Sequence, residues 1–198
     1  MEPDEHLLRR SVADPAAFEP LVERHTQALY AYLARRLPAL ADDLLAEVWL
    51  AAYAGRATFD PDRGPARGWL FSIARNTVNN HLRRPAVLPL GYESAEDGTW
   101  EAVDARLDAQ RAAPALRDAL RSLPIREREL LLMVALDGLS PTEAAAARDI
   151  PAGTARSRLH RARARLREQL DDPVPRVGAT DRRATPTISP ILIPGAIS

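Results

Sequence analysis

Prolines and glycines cut this chain into stretches whose apolar residues recur every three or four positions, and no convincing stretch alternates with a period of two. That pattern restricts the chain to helices, because a period near 3.6 lines one helix face whereas a half-buried strand needs a period of 2. A first helix is expected from about Asp14 to Leu37, with Phe18, Leu21, Val22, His25, Leu29, Tyr32 and Leu33 on one side and Pro38 as its stop. A second starts near Asp42, carries Leu44, Leu45, Val48, Trp49 and Ala52, and ends at Gly55. Residues 58–65 hold Pro61, Gly64 and Pro65 and read as a loop. A third helix runs from about Ala66 to Arg84, with Trp69, Leu70, Ile73, Ala74, Val78 and Leu82, before Pro85. Residues 12–84 thus make one small all-α bundle.

Residues 85–114 are different in kind: acidic, broken by Pro89, Gly91 and Gly98, and read as a flexible linker with a short helix near Trp100–Arg111. A second helical bundle spans 115–171. Two helices meet at Leu123-Pro124, and the second of them ends at Asp137-Gly138. Ser140, Pro141 and Glu143 then have capping-box chemistry: a hydroxyl for an orphan amide, a proline where no donor is needed, and a carboxylate returning to the cap. The helix they open is interrupted at Asp149-Ile150-Pro151, and a last one runs to about Gln169. Two short helices joined by a tight turn are a helix-turn-helix, whose second member lies in the DNA major groove. From 172 onward five prolines and no periodicity argue a disordered tail.

Charge sharpens that reading. The chain holds 27 basic and 27 acidic residues, a net of zero, but a phosphate backbone feels only charge within a Debye length of about 8–10 Å. All the basic residues are arginine, whose planar fork engages phosphates and guanine edges bidentately. Arg156, Arg158, Arg161, Arg163, Arg165 and Arg167 crowd the last helix with no acid between Pro151 and Arg167, while Leu159, Ala162 and Leu166 keep a core spacing. Solvated helix faces normally mix signs, so this face is expected to meet a polyanion. Cysteine is absent, which removes disulfides and thiolate chemistry and fits a reducing cytosol. The first ten residues lack an apolar signal region, and no run approaches the ~20 apolar residues of a membrane span. A cytoplasmic protein is expected, without metal, cofactor or catalytic residue.

Four strings carry a family resemblance: Leu120-x-x-Leu123-Pro124, Arg126-Glu127-Arg128-Glu129, Leu139-Ser140-x-x-Glu143-Ala144-Ala145, and Ile150-Pro151-x-Gly153-Thr154-x-Arg156-Ser157-Arg158-Leu159-x-Arg161-Ala162. This block resembles region 4 of the sigma-70 family, in its extracytoplasmic-function branch. The first bundle is similar to region 2, through Ala41-Asp42-Asp43-Leu44-x-x-Glu47-Val48-Trp49, Phe59-Asp60-Pro61, Trp69-Leu70-Phe71-x-Ile73-Ala74-Arg75-Asn76 and His81-Leu82-Arg83-Arg84. The resemblance implies a transcription initiation factor and not an enzyme. It implies that Asp42, Asp43, Leu44, Glu47 and Trp49 bind the β′ clamp helices of core RNA polymerase, with the β flap as a second contact. Phe59, Asp60, Arg75, Asn76, Asn79, Asn80, Arg83 and Arg84 would serve the promoter −10 element. Thr154, Arg156, Ser157, Arg158, His160, Arg161, Arg163 and Arg165 would serve the −35 element, and an anti-sigma factor would be a further partner.

Three features depart from the family pattern. Asp149 stands where the turn usually holds glycine, Arg148 stands where an apolar residue is usual, and small alanines occupy 144 and 155. Asp tolerates a left-handed backbone better than most non-glycine residues, so the turn is expected to survive. The main rival is a helix-turn-helix regulator acting without the polymerase clamp, which would need a phosphoacceptor or ligand-binding domain that the first 84 residues do not resemble. A carboxylate-metal nuclease is a weaker rival, because Asp60 and Asp62 lack a recognisable third ligand.

Overall fold

The structure, a computed structural model, describes residues 1–83 and 114–171. Eight α-helices and no strand are found among the described residues: α1 (Asp4–Arg10), α2 (Glu19–Arg36), α3 (Ala41–Gly55), α4 (Ala66–Leu82), α5 (Pro114–Ser122), α6 (Ile125–Ala135), α7 (Pro141–Ala147) and α8 (Ala152–Asp171). The all-α class expected from periodicity is what is seen. The acidic linker up to residue 113, its short helix, Arg84 and the tail beyond 171 lie outside the described residues.

Helices α2, α3 and α4 pack on one another because their apolar stripes converge. Leu21, Leu29, Leu33, Leu44, Val48, Leu70, Phe71 and Val78 are all buried there, each large side chain contributing roughly 1.5–3 kcal/mol. Tyr32 meets Phe71 edge to face at 5.4 Å. The expected first helix is shorter at its start, since Pro15–Phe18 forms a 3-10 turn capped by the Asp14 side chain. The 58–65 loop is likewise built from 3-10 turns, at Arg56–Thr58 and Pro61–Arg63.

Helix α1 was not foreseen. Pro3 precedes it, Asp4 and Glu5 occupy its first turn, and Arg9 and Arg10 its last, the charge order the helix dipole favours. It buries Leu7 and Leu8 and ties down two neighbours through its acids. Asp4 accepts from Arg24 and pairs with His25, both at 2.6 Å. Glu5 accepts from the backbone amide of Ala66 at 3.0 Å, capping α4 from another helix where Pro65 supplies no side-chain cap.

In the second bundle α5, α6 and α7 gather around α8. Leu120, Leu123, Leu130, Met133, Leu139, Ala155, Leu159 and Ala162 form its core. The capping box of α7 is present in both directions: Ser140 Oγ accepts from Glu143 N at 3.2 Å, and Glu143 Oε2 accepts from Ser140 N at 2.6 Å. Asp149 holds φ at 51°, the left-handed conformation expected of it.

The two bundles are docked, α4 against α7. Small residues permit it: a Cβ added to Gly68 would meet Ala146 Cβ and the Glu143 carbonyl oxygen at 2.7 Å each. Arginines of the first bundle close over the loop after α6. Arg67 donates to the Asp137 and Gly138 carbonyls at 3.0 and 2.8 Å, and Arg35 donates to the Asp137 carboxylate, which Arg36 approaches at 3.8 Å. Arg36 is itself buried, stacked 3.5 Å over the Tyr32 ring and bonded to the Tyr32 carbonyl. Burial lowers the Arg36 pKa from its ordinary value and raises that of the Tyr32 phenol.

Candidate nucleic-acid interface

Helix α8 presents its arginines outward because its other side is spent on the core. Ala155, Leu159 and Ala162 are buried, so Arg156, Ser157, His160, Arg161, Arg163, Arg165 and Arg167 are left exposed. Thr154 and Arg158 are half-buried at the flanks. Ser157 donates its hydroxyl proton to the Thr154 carbonyl at 2.9 Å, which leaves its lone pairs facing out. At the far end Ser122 donates to Gln169 Oε1 at 2.7 Å, tying α5 to α8. Two of the arginines are not uncompensated, as the run of basic residues alone suggested. Glu127 of α6 accepts from Arg161 Nε at 3.2 Å and from Arg165. The carboxylate comes from 34 and 38 residues away, beyond the reach of any local pattern.

The turn before α8 explains one departure from the family. Arg148 pairs with Glu129, and both side chains are largely enclosed, at 9 and 13% exposure. An ion pair thus fills the slot where the resemblance led an apolar residue to be expected.

The 58–65 loop and α4 form a second polar surface. Asp60 bonds the Asp62 amide at 3.0 Å, and Phe59 packs edge to face on Trp69 at 5.6 Å. Phe59 is therefore only half-exposed, its ring committed to Trp69. A cavity of about 350 Å³ opens beside them, lined by Asp60, Trp69, Arg75 and Asn76 on one side and by residues 146–149 on the other. Asn80 and Arg83 are exposed further along α4, and Asn79 is half-buried. Arg63 reaches across to Asp149 at 2.7 Å. The 58–65 loop of one bundle and the helix-turn-helix of the other therefore share one cavity.

A third surface lies on α3. Asp42, Asp43 and Glu47 are exposed, but Leu44 is core, 1% exposed. Trp49 is half-buried against Phe18, edge to face at 5.9 Å. The apolar residue that does face outward is Leu50, 71% exposed, with Tyr53 nearby at 37%. Spacings of four and three put Asp43, Glu47 and Leu50 on one stripe. The sequence reading missed Leu50, although its helical offset from Val48 and Ala52 was signal enough.

No group of three or more acids and histidines placed to hold a metal occurs among the described residues, and none of their helices is long and apolar enough to cross a membrane.

Comparison with known proteins identifies the family. Residues 21–86 match the family model for sigma-70 region 2, and residues 114–166 match that for sigma-70 region 4. The RNA polymerase sigma factor CarQ of Myxococcus xanthus is 36% identical over 162 residues, covering 79% of this chain and 90% of CarQ. The ECF RNA polymerase sigma factor SigM of Mycobacterium tuberculosis is 34% identical over 170 residues, covering 84% of each. Among solved structures, CnrH in complex with the cytosolic domain of CnrY is similar at a TM-score of 0.58 and 30% identity, covering 86% of this chain and 98% of that one. The sigma factor RpoE in complex with the anti-sigma factor NepR from Bartonella quintana gives 0.51 at 26% identity, with 78% and 97% covered.

Proposed function

The chain belongs to the sigma-70 family of RNA polymerase sigma factors, in its extracytoplasmic-function branch, and on that footing we propose which of its surfaces grips polymerase and which reads the promoter. As a sigma factor it directs core polymerase to promoters. It does so by binding alone, with no chemistry of its own, and it works in the cytoplasm where that polymerase is. Residues 12–84 act as region 2 and 115–171 as region 4, with 85–114 spanning between them.

The exposed stripe of Asp43, Glu47 and Leu50, with Asp42 at its edge, is the contact for the β′ clamp helices. An exposed leucine rimmed by carboxylates has the make-up of an interface anchor. Leu44 and Trp49 serve this surface from beneath, by setting the tilt of α3. The cavity beside Asp60 takes an unstacked base of the −10 element, and Arg75, Asn76, Asn79, Asn80 and Arg83 supply donors along the single strand. The outward face of α8 reads the −35 element, with Arg156, Ser157, His160 and Arg161 toward bases and Arg158, Arg163 and Arg165 toward phosphates. The observation carrying this reading is that both family modules occur on one chain, in order, with the arginine face of α8 open to solvent.

Docking of α4 on α7 has a consequence for this function. The cavity that would take the −10 base is walled by residues 146–149, so a DNA strand and the second bundle compete for one space. The two bundles therefore separate when the chain engages both elements. The solved relatives CnrH and RpoE are each bound to a second protein, the latter to an anti-sigma factor, and we propose that this chain is likewise held by an anti-sigma factor. Core polymerase pull-down followed by run-off transcription tests the assignment. Promoter-specific transcripts that require both core enzyme and this chain are expected; specific DNA binding by the chain with no effect of core would favour a free-standing regulator.

A further inference from the structure

Glu127 is buried, 7% exposed, at the start of α6, yet both its oxygens are directed at the DNA-facing helix. One oxygen accepts from Arg161 Nε at 3.2 Å and the other from Arg165. Both arginines remain solvent-facing, with side chains 54 and 44% exposed. Nothing else among the described residues engages the Nη groups of Arg161. Its guanidinium is therefore anchored by one edge, with four N–H donors left. A free arginine on an exposed helix samples many rotamers and loses side-chain entropy on being ordered. It would also repel its neighbour one turn away. A carboxylate between the two removes both penalties before DNA arrives, and cancels one of the two positive charges.

We propose that Glu127 is a positioning residue for promoter selectivity: held between Arg161 and its phosphate-directed neighbour Arg165, it orients Arg161 toward a base, so that α8 distinguishes the −35 sequence instead of merely attracting phosphate. This rests on the assignment of α8 as the −35 reader. Selectivity and bulk affinity should then move in opposite directions when the carboxylate is lost. Glu127→Gln turns one of the two acceptor oxygens into a donor, so that at most one guanidinium stays held, and adds one net positive charge to the face. Discrimination falls while sequence-independent attraction and its salt dependence rise. A merely structural glutamate would lower both together.

The test uses reconstituted holoenzyme on two promoters that share one −10 element, one with the −35 element selected from randomised DNA and one with it scrambled. The ratio of their initiation rates is compared for wild type, Glu127→Gln, Glu127→Asp, Arg161→Ala and the Glu127→Gln/Arg161→Ala pair. Expected is a fall in the ratio of about five- to tenfold for Glu127→Gln, within the range one good base contact supplies. The scrambled promoter should be used at least as well as by wild type, and the slope of binding against log salt should steepen. Glu127→Asp keeps the charge but withdraws the oxygens by one methylene. It should also lose selectivity without steepening that slope, and it serves if Glu127→Gln does not fold. In the paired variant the two changes should not add. An unchanged ratio in folded Glu127 variants overturns the proposal, and so does an equal loss on both promoters. If Arg161→Ala itself leaves the ratio intact, the assignment of α8 fails instead.

Discussion

Leu50 and Arg148 show how single residues divide between function and fold. Leu50 spends most of its side chain on solvent, an unfavourable placement that a partner would relieve. Leu50→Ser should leave the melting temperature within a degree or two, while weakening core-polymerase binding at least tenfold, the scale of a small interface anchor; titration of core enzyme by fluorescence anisotropy measures it. Equal affinity for the variant would remove Leu50 from the interface. Arg148 is the converse case. It lies in the wall of the shared cavity, but its enclosed pairing with Glu129 gives it a structural task. Arg148→Leu removes the cation from an enclosed ion pair and should destabilise the chain by roughly 2–4 kcal/mol in urea unfolding. At this scale the sequence was a good guide to residue type and a poorer one to direction. Asp43 and Glu47 were legible as exposed acids beside an apolar stripe. Leu44 was not separable from them by family motif alone, since a motif lists neighbours along the chain and not the face each occupies.

Among elements, the most legible were those whose chemistry is local. Pro38, Gly55 and the Ser140-Pro141-Thr142-Glu143 run mark helix ends through backbone donors and acceptors a few residues away, so the C-terminal ends of α2 and α3 and the start of α7 could be read directly. Ser140→Ala removes one side of the capping box and should cost about 1 kcal/mol, visible as a lower urea midpoint with unchanged slope. Helix α1 was overlooked because its seven residues hold only one apolar pair, too little for a periodicity. What stabilises it is tertiary: Asp4 on Arg24 and His25, and Glu5 on the Ala66 amide. The Glu127 pairs with Arg161 and Arg165 escaped for the same reason. The seam is a third nonlocal feature, and it too makes an element-level prediction. Gly68→Val projects atoms into Ala146 and the Glu143 carbonyl while leaving α4 helical. The bundles should part, seen as a larger radius of gyration in small-angle scattering, with helical circular dichroism preserved; an unchanged radius would show that this contact does not hold them.

For the molecule as a whole, the proposed function requires that two bundles docked in the structure come apart on promoter DNA. The clasp centres on Asp137, whose side chain is 1% exposed and faces Arg35 and Arg36 of the other bundle. Asp137→Asn takes one carboxylate away from those guanidiniums, a loss of about 2–5 kcal/mol for an enclosed pair, which should open the free chain even at low salt. Förster transfer between dyes on the two bundles would report it; unaltered transfer would show the clasp to be incidental. The existence of two modules was plain from the sequence, because each carries its own apolar periodicity and its own turn signals. Their docking was not, because it joins residues about 70 to 100 positions apart through arginines that look like any other surface charge. The proposed function requires one chain to touch two promoter elements through one polymerase. Footprinting of reconstituted holoenzyme, with permanganate to detect unpaired thymines, addresses that directly. Simultaneous protection of the −35 and −10 elements, with thymines reactive only in the latter and only when core enzyme and this chain are both present, is the expected result; protection of a single element by the chain alone, with no opening of the duplex, would contradict it.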